Sequence, residues 1–306
     1  MQKKRNIRLA AFLLAMIVIT IVTYILVQPK DSAGIDKSLF AFDNTLDVTK
    51  VVFETGEKVT LELNANRWVV NGEYEADPQR ISVLFAILKQ ISIRRQVAKV
   101  QEAQVDQLMN KKGAKVSIYN GEELINSFNV TGDESKSLTY MKYDDEKSYL
   151  VEIPGYKSYL AGIFQLDENG WRNPLVFDLN WANLASVSVN YPDQSINDIS
   201  IMFDDRNLIM EGLPKADSSK LGDYIDDISL LYVNDYLKKS EFSDSLIANT
   251  QAGIVVRDIA GNNFTLEIFG KKSAKEYLVR IDSVDYGVIE SSLIMKVTKP
   301  KSYFTK

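Results

Sequence analysis

The chain has 306 residues, 45% of them hydrophobic and 25% charged, which is ordinary globular usage and enough for two sizeable cores. It holds no Cys and no His, which excludes disulfides, thiolate nucleophiles, imidazole bases and His/Cys metal sites. Residues 1–30 carry five Lys/Arg and no acid, leaving 31 basic residues against 41 acidic ones, a net charge of about −10 that disfavours nucleic acid and anionic lipid as partners of the remainder.

Lys3, Lys4, Arg5 and Arg8 precede an uncharged run from Leu9 to Val27. At about 1.5 Å of rise per residue, a helix of that length nearly crosses the roughly 30 Å hydrocarbon layer of a bilayer. Cationic residues before the run and a long acidic remainder after it put the N-terminus in the cytoplasm and the bulk outside a bacterial inner membrane. A cleaved signal peptide competes with this, but its apolar core is usually about 7 to 15 residues. This run is longer and passes into Gln28-Pro29-Lys30, with no Cys behind it for lipidation. Residues 1–30 therefore read as a cytoplasmic stub and an uncleaved single-pass anchor touching lipid through residues 9–27, and residues 31–44 as a polar tether.

Beyond the tether the chain repeats itself. Lys58 to Ile91 lies over Asp198 to Leu231 with no gap, at a constant shift of 140 across 34 columns. Gly72 meets Gly212, and Ala76-Asp77 meets Ala216-Asp217. Few residues are identical, yet the columns agree in type, the mark of a duplicated domain. Val48, Val51 and Phe53 mark a first strand, Val59-Leu61-Leu63 a second, and Trp68-Val69-Val70 a third closed by Asn71-Gly72. The second copy offers Leu184, Val187 and Val189, then Ile199-Ile201-Phe203, then Leu208-Ile209-Met210.

Each triplet leads to a helix. Asp77 stands before Pro78, and Asp217 before Ser218-Ser219, where a carboxylate accepts from the free N–H groups of the first turn. Their shared position could suggest catalysis, but capping explains it with no further assumption. Ile81, Leu84, Phe85, Leu88 and Ile91 then recur at helical spacing, matched by Leu221, Tyr224, Ile225, Ile228 and Leu231. Both stripes must cover a sheet. Further strands follow at 115–119, 123–130, 138–143 and 149–153, and again at 253–257, 264–269, 276–281 and 286–289. A short helix over 155–164 closes the first copy, with 291–297 as its weaker counterpart. The expected fold is α+β: an N-terminal transmembrane helix, a first repeat over 45–166, a connector over 167–182 and a second repeat over 183–306, each repeat an antiparallel sheet plus helix.

The connector holds two of the three Trp residues. Trp171, Arg172 and Phe177 form either an exposed anchor for a partner, since Trp and Arg concentrate in binding hot spots, or the glue between the copies. Aromatic burial favours the glue.

No catalytic signature stands out. Gly-x-Gly-x-x-Gly, Walker, Gly-x-Ser-x-Gly and Ser-x-x-Lys patterns are all missing, so no cofactor is implied. Asp144-Asp145-Glu146, Asp204-Asp205 and Asp226-Asp227 lack the spacing of a calcium loop and read as solvated faces. Asn129-Val130-Thr131 and Asn263-Phe264-Thr265 fit a glycosylation acceptor pattern that is frequent by chance.

With the charged N-terminus, the membrane helix, Trp68 and Gly72, the Ala76-Asp77 helix start, Trp171-Arg172-Asn173 to Phe177-Asp178 and the second copy, the chain resembles the bacterial domain-of-unknown-function family DUF4340. Members of that family are often encoded beside ABC-2 type exporter subunits and a gliding-motility-type auxiliary protein. The resemblance implies an extracytoplasmic accessory component whose partner is an ABC-type permease or auxiliary subunit, and it carries over no catalytic residues. The expected function is thus a non-enzymatic, membrane-tethered scaffold or adaptor. Its rival is an envelope glycan-binding module using Trp68 and Trp171, or a His-independent glycosidase using two carboxylates.

Overall fold

The computed structural model describes residues 13–23, 35–42, 47–144, 146–193, 195–204, 207–243, 247 and 249–305. Helix α1, residues 13–23, is the described part of the apolar run, and its side chains are exposed. The basic residues before it, and residues 9–12 and 24–27 of the run, lie outside the described residues. Among the described residues no helix is long and apolar enough to cross a membrane.

In the first copy, β1 (Lys50–Glu54), β2 (Lys58–Asn64), β3 (Arg67–Val70) and β4 (Tyr74–Glu75) lead into α2 (Pro78–Gln90). After β5 (Ser92–Gln96) and α3 (Lys99–Lys112) come β6 (Ala114–Asn120), β7 (Glu123–Asp133), β8 (Leu138–Lys142) and β9 (Tyr149–Glu152). They form one sheet in the order β4-β3-β2-β1-β6-β7-β8-β9-β5. Register makes one face apolar: Phe53 stands opposite Val116, which stands opposite Phe128, and all three are fully buried.

The second copy follows the one-turn helix α4 (Glu168–Trp171). It comprises β10 (Leu184–Asn190), β11 (Ile199–Asp204), β12 (Asn207–Met210), α5 (Ser218–Ser229), β13 (Asp235–Leu237), β14 (Ala252–Asp258), β15 (Asn263–Ser273), β16 (Glu276–Ile281), β17 (Asp285–Glu290) and α6 (Ser291–Val297). Its sheet runs β12-β11-β10-β14-β15-β16-β17-β13, the order of the first sheet without the two-residue β4. Every described pairing in both sheets is antiparallel.

The α5 stripe of Leu221, Tyr224, Ile225 and Ile228 packs in one cluster with Val187, Ile201, Ile254 and Leu266 from the sheet. Each such side chain contributes about 1.5–3 kcal/mol of gross burial energy. A smaller cluster occupies part of the opposite face in each copy: Val97, Val105, Tyr140 and Leu150 in the first, Phe242, Phe269, Leu278, Tyr286 and Val288 in the second. Tyr140 faces Leu150 across β8–β9, and Leu278 faces Val288 across β16–β17 in the same register.

By packing, the chain divides into two units, Met1–Thr60 with Ile81–Gln165 and Leu61–Arg80 with Leu166–Lys306. Within the second unit, Asp77 accepts hydrogen bonds from the N–H groups of Gln79 (2.8 Å) and Arg80 (3.4 Å), and Asp217 from those of Ser219 (3.0 Å) and Lys220 (3.4 Å). Gly72 and Gly212 both hold a left-handed φ, +75° and +70°, so their match across the copies is a shared turn.

The structure departs from the sequence-based expectation in four places. Residues 155–164 are not a helix: Gly155 takes φ +84°, Ile153 bridges Tyr156, and the Thr139 hydroxyl accepts the N–H groups of Leu160 (2.9 Å) and Ala161 (3.3 Å), leaving only a 3₁₀ turn over Ala161–Gln165. The buried α2 stripe is Ile81, Leu84, Ile87 and Leu88, with Phe85 half-buried. Helix α3 was not anticipated, because Val105 is the one residue it buries fully. Residues 35–42, within the expected tether, pack on the first copy: Phe40 is 1% exposed and stacks on Tyr143 at 5.0 Å, and the Ile93 N–H donates to the Lys37 carbonyl at 2.9 Å.

Asp217→Ala is expected to lower stability by about 1 kcal/mol, and Asp217→Asn, which keeps an acceptor, by less. Denaturant titration of the full chain in detergent, followed by tryptophan fluorescence, checks both; equal losses would show that the carboxylate acts other than as a cap.

Candidate functional site

The connector is where polar chemistry goes inside. The Asp167 carboxylate accepts the Gly170 N–H at 2.7 Å and so starts α4, which aims Trp171 inward with no exposed surface. The chain then runs extended along the start of the first-copy helix. The Trp171 carbonyl accepts the Asp77 N–H (2.8 Å), Ala76 bridges Arg172, and the Asn173 N–H donates to the Glu75 carbonyl (2.8 Å). On its other side the same stretch pairs with 231–233: the Val233 N–H donates to the Pro174 carbonyl (2.7 Å) and the Val176 N–H to the Leu231 carbonyl (2.9 Å). Phe177 follows, fully buried in the second-copy core.

Arg172 sits between these contacts. Its guanidinium carbon lies 3.6 Å from the ring centre of Tyr74 and 3.7 Å from that of Tyr236, and Nη2 meets the Asp285 carboxylate at 2.8 Å. Its side chain is 8% exposed. Two aromatic faces and a carboxylate are what a buried guanidinium requires, because its charge loses water and must be met by ring quadrupoles and an anion. The Tyr236 hydroxyl donates to the Asn173 carbonyl (2.8 Å), and the Asn169 side-chain amide to the Tyr236 carbonyl (3.2 Å). Burial pushes the Tyr236 phenol up to about 12, against the pull of Arg172; burial also raises Tyr74, with a hydrogen bond to Glu73 adding to it. Tyr74, Tyr236 and Asp285 lie far apart in sequence, and no spacing rule groups them with Arg172.

The second copy has the same closure. The Phe304 carbonyl accepts the Asp217 N–H at 2.9 Å, Ala216 bridges Thr305, and Phe304 is fully buried against Tyr224 at 5.2 Å. Trp171 is therefore the positional counterpart of Phe304. Lys37 and Pro174 match as well, each accepting from equivalent residues, Ile93 and Val233. The stretch between the repeats is thus the closing strand of one copy followed directly by the lead-in of the next.

Three of the acidic sequence candidates are engaged locally. Asp144 pairs with Lys115 (2.6 Å) and accepts from Asn129 (2.7 Å); Asp226 accepts the Trp181 indole N–H (2.6 Å); Asp227 pairs with Lys296 (3.2 Å). Asp145, Asp205 and the side chain of Asp204 lie outside the described residues. Trp68 is half-buried in β3.

This arrangement defines a duplicated antiparallel α+β protein whose central basic and aromatic residues are spent on closing the fold. The profile of the family described as Domain of unknown function (DUF4340) matches residues 68–248, and the chain belongs to that family. No curated protein matches it.

Arg172→Ala is expected to cost about 3 kcal/mol, because it leaves Asp285 half-buried without its cation, and Arg172→Lys less, since the charge survives without the planar stack. Calorimetric melting checks the order. A second expectation follows from Tyr236. Its folded pKa stands above the unfolded value near 10, so the stability it confers is complete below pH 10 and is lost as pH rises toward 12. A melting temperature that stays level across that interval, while tyrosinate absorbance rises, would contradict it.

Proposed function

We propose that the chain is a non-enzymatic, membrane-tethered extracytoplasmic scaffold or adaptor, an accessory component of an ABC-type envelope transport complex. One observation carries this reading: a cationic start and the uncharged stretch 9–27 are joined to two sheets of one strand order. In this reading residues 9–27 form the single-pass anchor, the N-terminus stays in the cytoplasm, and the sheets stand outside as a platform.

Several features support a platform. Arg172, Asp285, Tyr236, Asp77, Asp217 and Asp226 each hold a partner within the fold, so these polar side chains are occupied in maintaining shape. Met202 lies opposite Ile209 on the second sheet, with Val255 on the same face, and all three are exposed. Apolar surface on a sheet face turned away from the core suits contact with another protein. The permease or auxiliary-subunit partner comes from the family resemblance.

The test has two arms. A C-terminal alkaline phosphatase fusion is expected to be active and a green fluorescent protein fusion dark, with the chain resisting carbonate extraction; a fluorescent cytosolic fusion would end the reading. Affinity purification in mild detergent at native expression is expected to recover an integral membrane partner in stoichiometric amount. Recovery of this chain by itself would count against the adaptor role even if the anchor holds.

A further inference from the structure

The two copies differ on the sheet face opposite the long helix. In the second copy Tyr286 and Phe242, with ring centres 4.8 Å apart, close that face with Phe269, Leu278 and Val288. Register places Ser148 of the first copy where Tyr286 stands, since Tyr140–Leu150 corresponds to Leu278–Val288. The smaller residue leaves space. Between α3 and the β8–β9 turn runs a groove with a volume of about 610 Å³, within the span of small-molecule sites.

Its lining is polar and specific in charge. Glu102 and Asp106, one turn apart on α3, form one wall, and Lys142 opposite is paired with Asp106 at 3.1 Å. Glu146 and Lys147 edge the turn, and among the described residues neither they nor Glu102 enters an ion pair. Ser148 lines the groove although it is only 6% exposed. Its backbone is held, because its carbonyl accepts the Val97 N–H at 2.9 Å, while its hydroxyl has no hydrogen-bond partner among the described residues. A buried hydroxyl facing an open groove with no protein partner is a group set to meet a ligand. Tyr149 also borders the groove, while its ring packs 5.9 Å from that of Phe40 on the other face of the sheet.

The chemistry narrows the ligand. An apolar molecule would strand the Ser148 hydroxyl and the charges. A phosphate or other anion would face the unpaired carboxylates of Glu102 and Glu146. Among the described residues no group of three or more acidic side chains is arranged to hold a metal ion. Vicinal hydroxyls both donate and accept, so a sugar suits a lining that sets the carboxylates of Glu102 and Glu146 beside the Ser148 hydroxyl. The groove carries one negative charge more than positive, which favours an amine on that sugar.

We infer that this groove of the first copy binds a short saccharide, and prefers amino sugars to uronic acids. The inference goes beyond the scaffold reading and does not depend on the anchor. The test uses the full chain in lipid nanodiscs, titrated calorimetrically with glucosamine tetramer, N-acetylglucosamine tetramer and tetragalacturonate, with spermidine as a charge control. The glucosamine tetramer is expected to bind, about tenfold more tightly than the acetylated one, and the uronate not at all. Glu102→Gln with Glu146→Gln is expected to weaken glucosamine binding by about tenfold or more, whereas Lys147→Glu strengthens it, which a merely damaged fold would not do. The inference is overturned if no sugar binds, if these variants leave affinity unchanged, or if spermidine binds as tightly as the tetramer.

Discussion

Each copy depends on how its long helix is entered. The first N–H groups of a helix have no partner inside it and must be met from elsewhere. Here the Asp carboxylate meets those of the first turn, and the Asp backbone N–H itself is taken by a closing strand that arrives from the far end of the copy, at Trp171 in one and Phe304 in the other. The closing strand stays because its aromatic side chain is buried. A Trp that loses about 150–250 Å² of exposed surface gains about 4 to 6 kcal/mol of gross transfer free energy. That is far more than one backbone hydrogen bond contributes, near 1 kcal/mol. The aromatic anchor thus holds the strand, and the strand caps the helix.

Arg172 adds a different constraint. An ion pair taken out of water contributes little net stability, because desolvation offsets most of the Coulomb gain. Its effect lies in what happens when it is displaced. A slip of one residue along Ala76 would turn the guanidinium out of the space between Tyr74 and Tyr236 and leave Asp285 facing rings without its cation. The pairing therefore selects one register for residues 172–176, which carry hydrogen bonds to Glu75 on one side and to 231–233 on the other. Phe177 can enter the second-copy core only in that register.

Much of this was legible in the residues because its cause is local. Strands such as β6 and β14 alternate apolar and polar residues with period two, and the α5 stripe of Leu221, Tyr224, Ile225 and Ile228 is buried as its spacing requires. What was not legible has causes spread along the chain. β5 reads Ser-Ile-Arg-Arg-Gln, with two charges side by side, because it is an edge strand and needs only one apolar anchor, Ile93. The helix expected over 155–164 lost to Thr139, a residue of another strand. Equivalence of Trp171 with Phe304 was hidden because the shift between the copies drifts from 140 at the helices to 138 in the later strands and 133 at the closing residues, the last step falling between Glu152 and Trp171. The candidates Trp171, Arg172 and Phe177 were visible as types, while their burial was set by Tyr74, Tyr236 and Asp285.

Duplication also explains where the copies are free to differ. The face under the long helix must be apolar in both, since Leu84 and Leu88 in one copy and Tyr224 and Ile228 in the other have no exposed surface to spare. The opposite face carries no such demand beyond its small cluster. In the second copy it is filled by Phe242 and Tyr286, so Phe242, which follows β13, lies against the sheet. In the first copy the corresponding segment is α3, whose sequence Lys-Val-Gln-Glu-Ala-Gln-Val-Asp-Gln-Leu-Met-Asn-Lys-Lys buries little besides Val105 and is held at its edge by the Asp106–Lys142 pair. Such a helix is attached by few apolar contacts, and its Glu102 and Asp106 line the groove together with Ser148. Two sheets of one strand order thus present unlike surfaces on the same face, one closed and aromatic, the other grooved and charged, and the difference follows from residue size at the position shared by Ser148 and Tyr286.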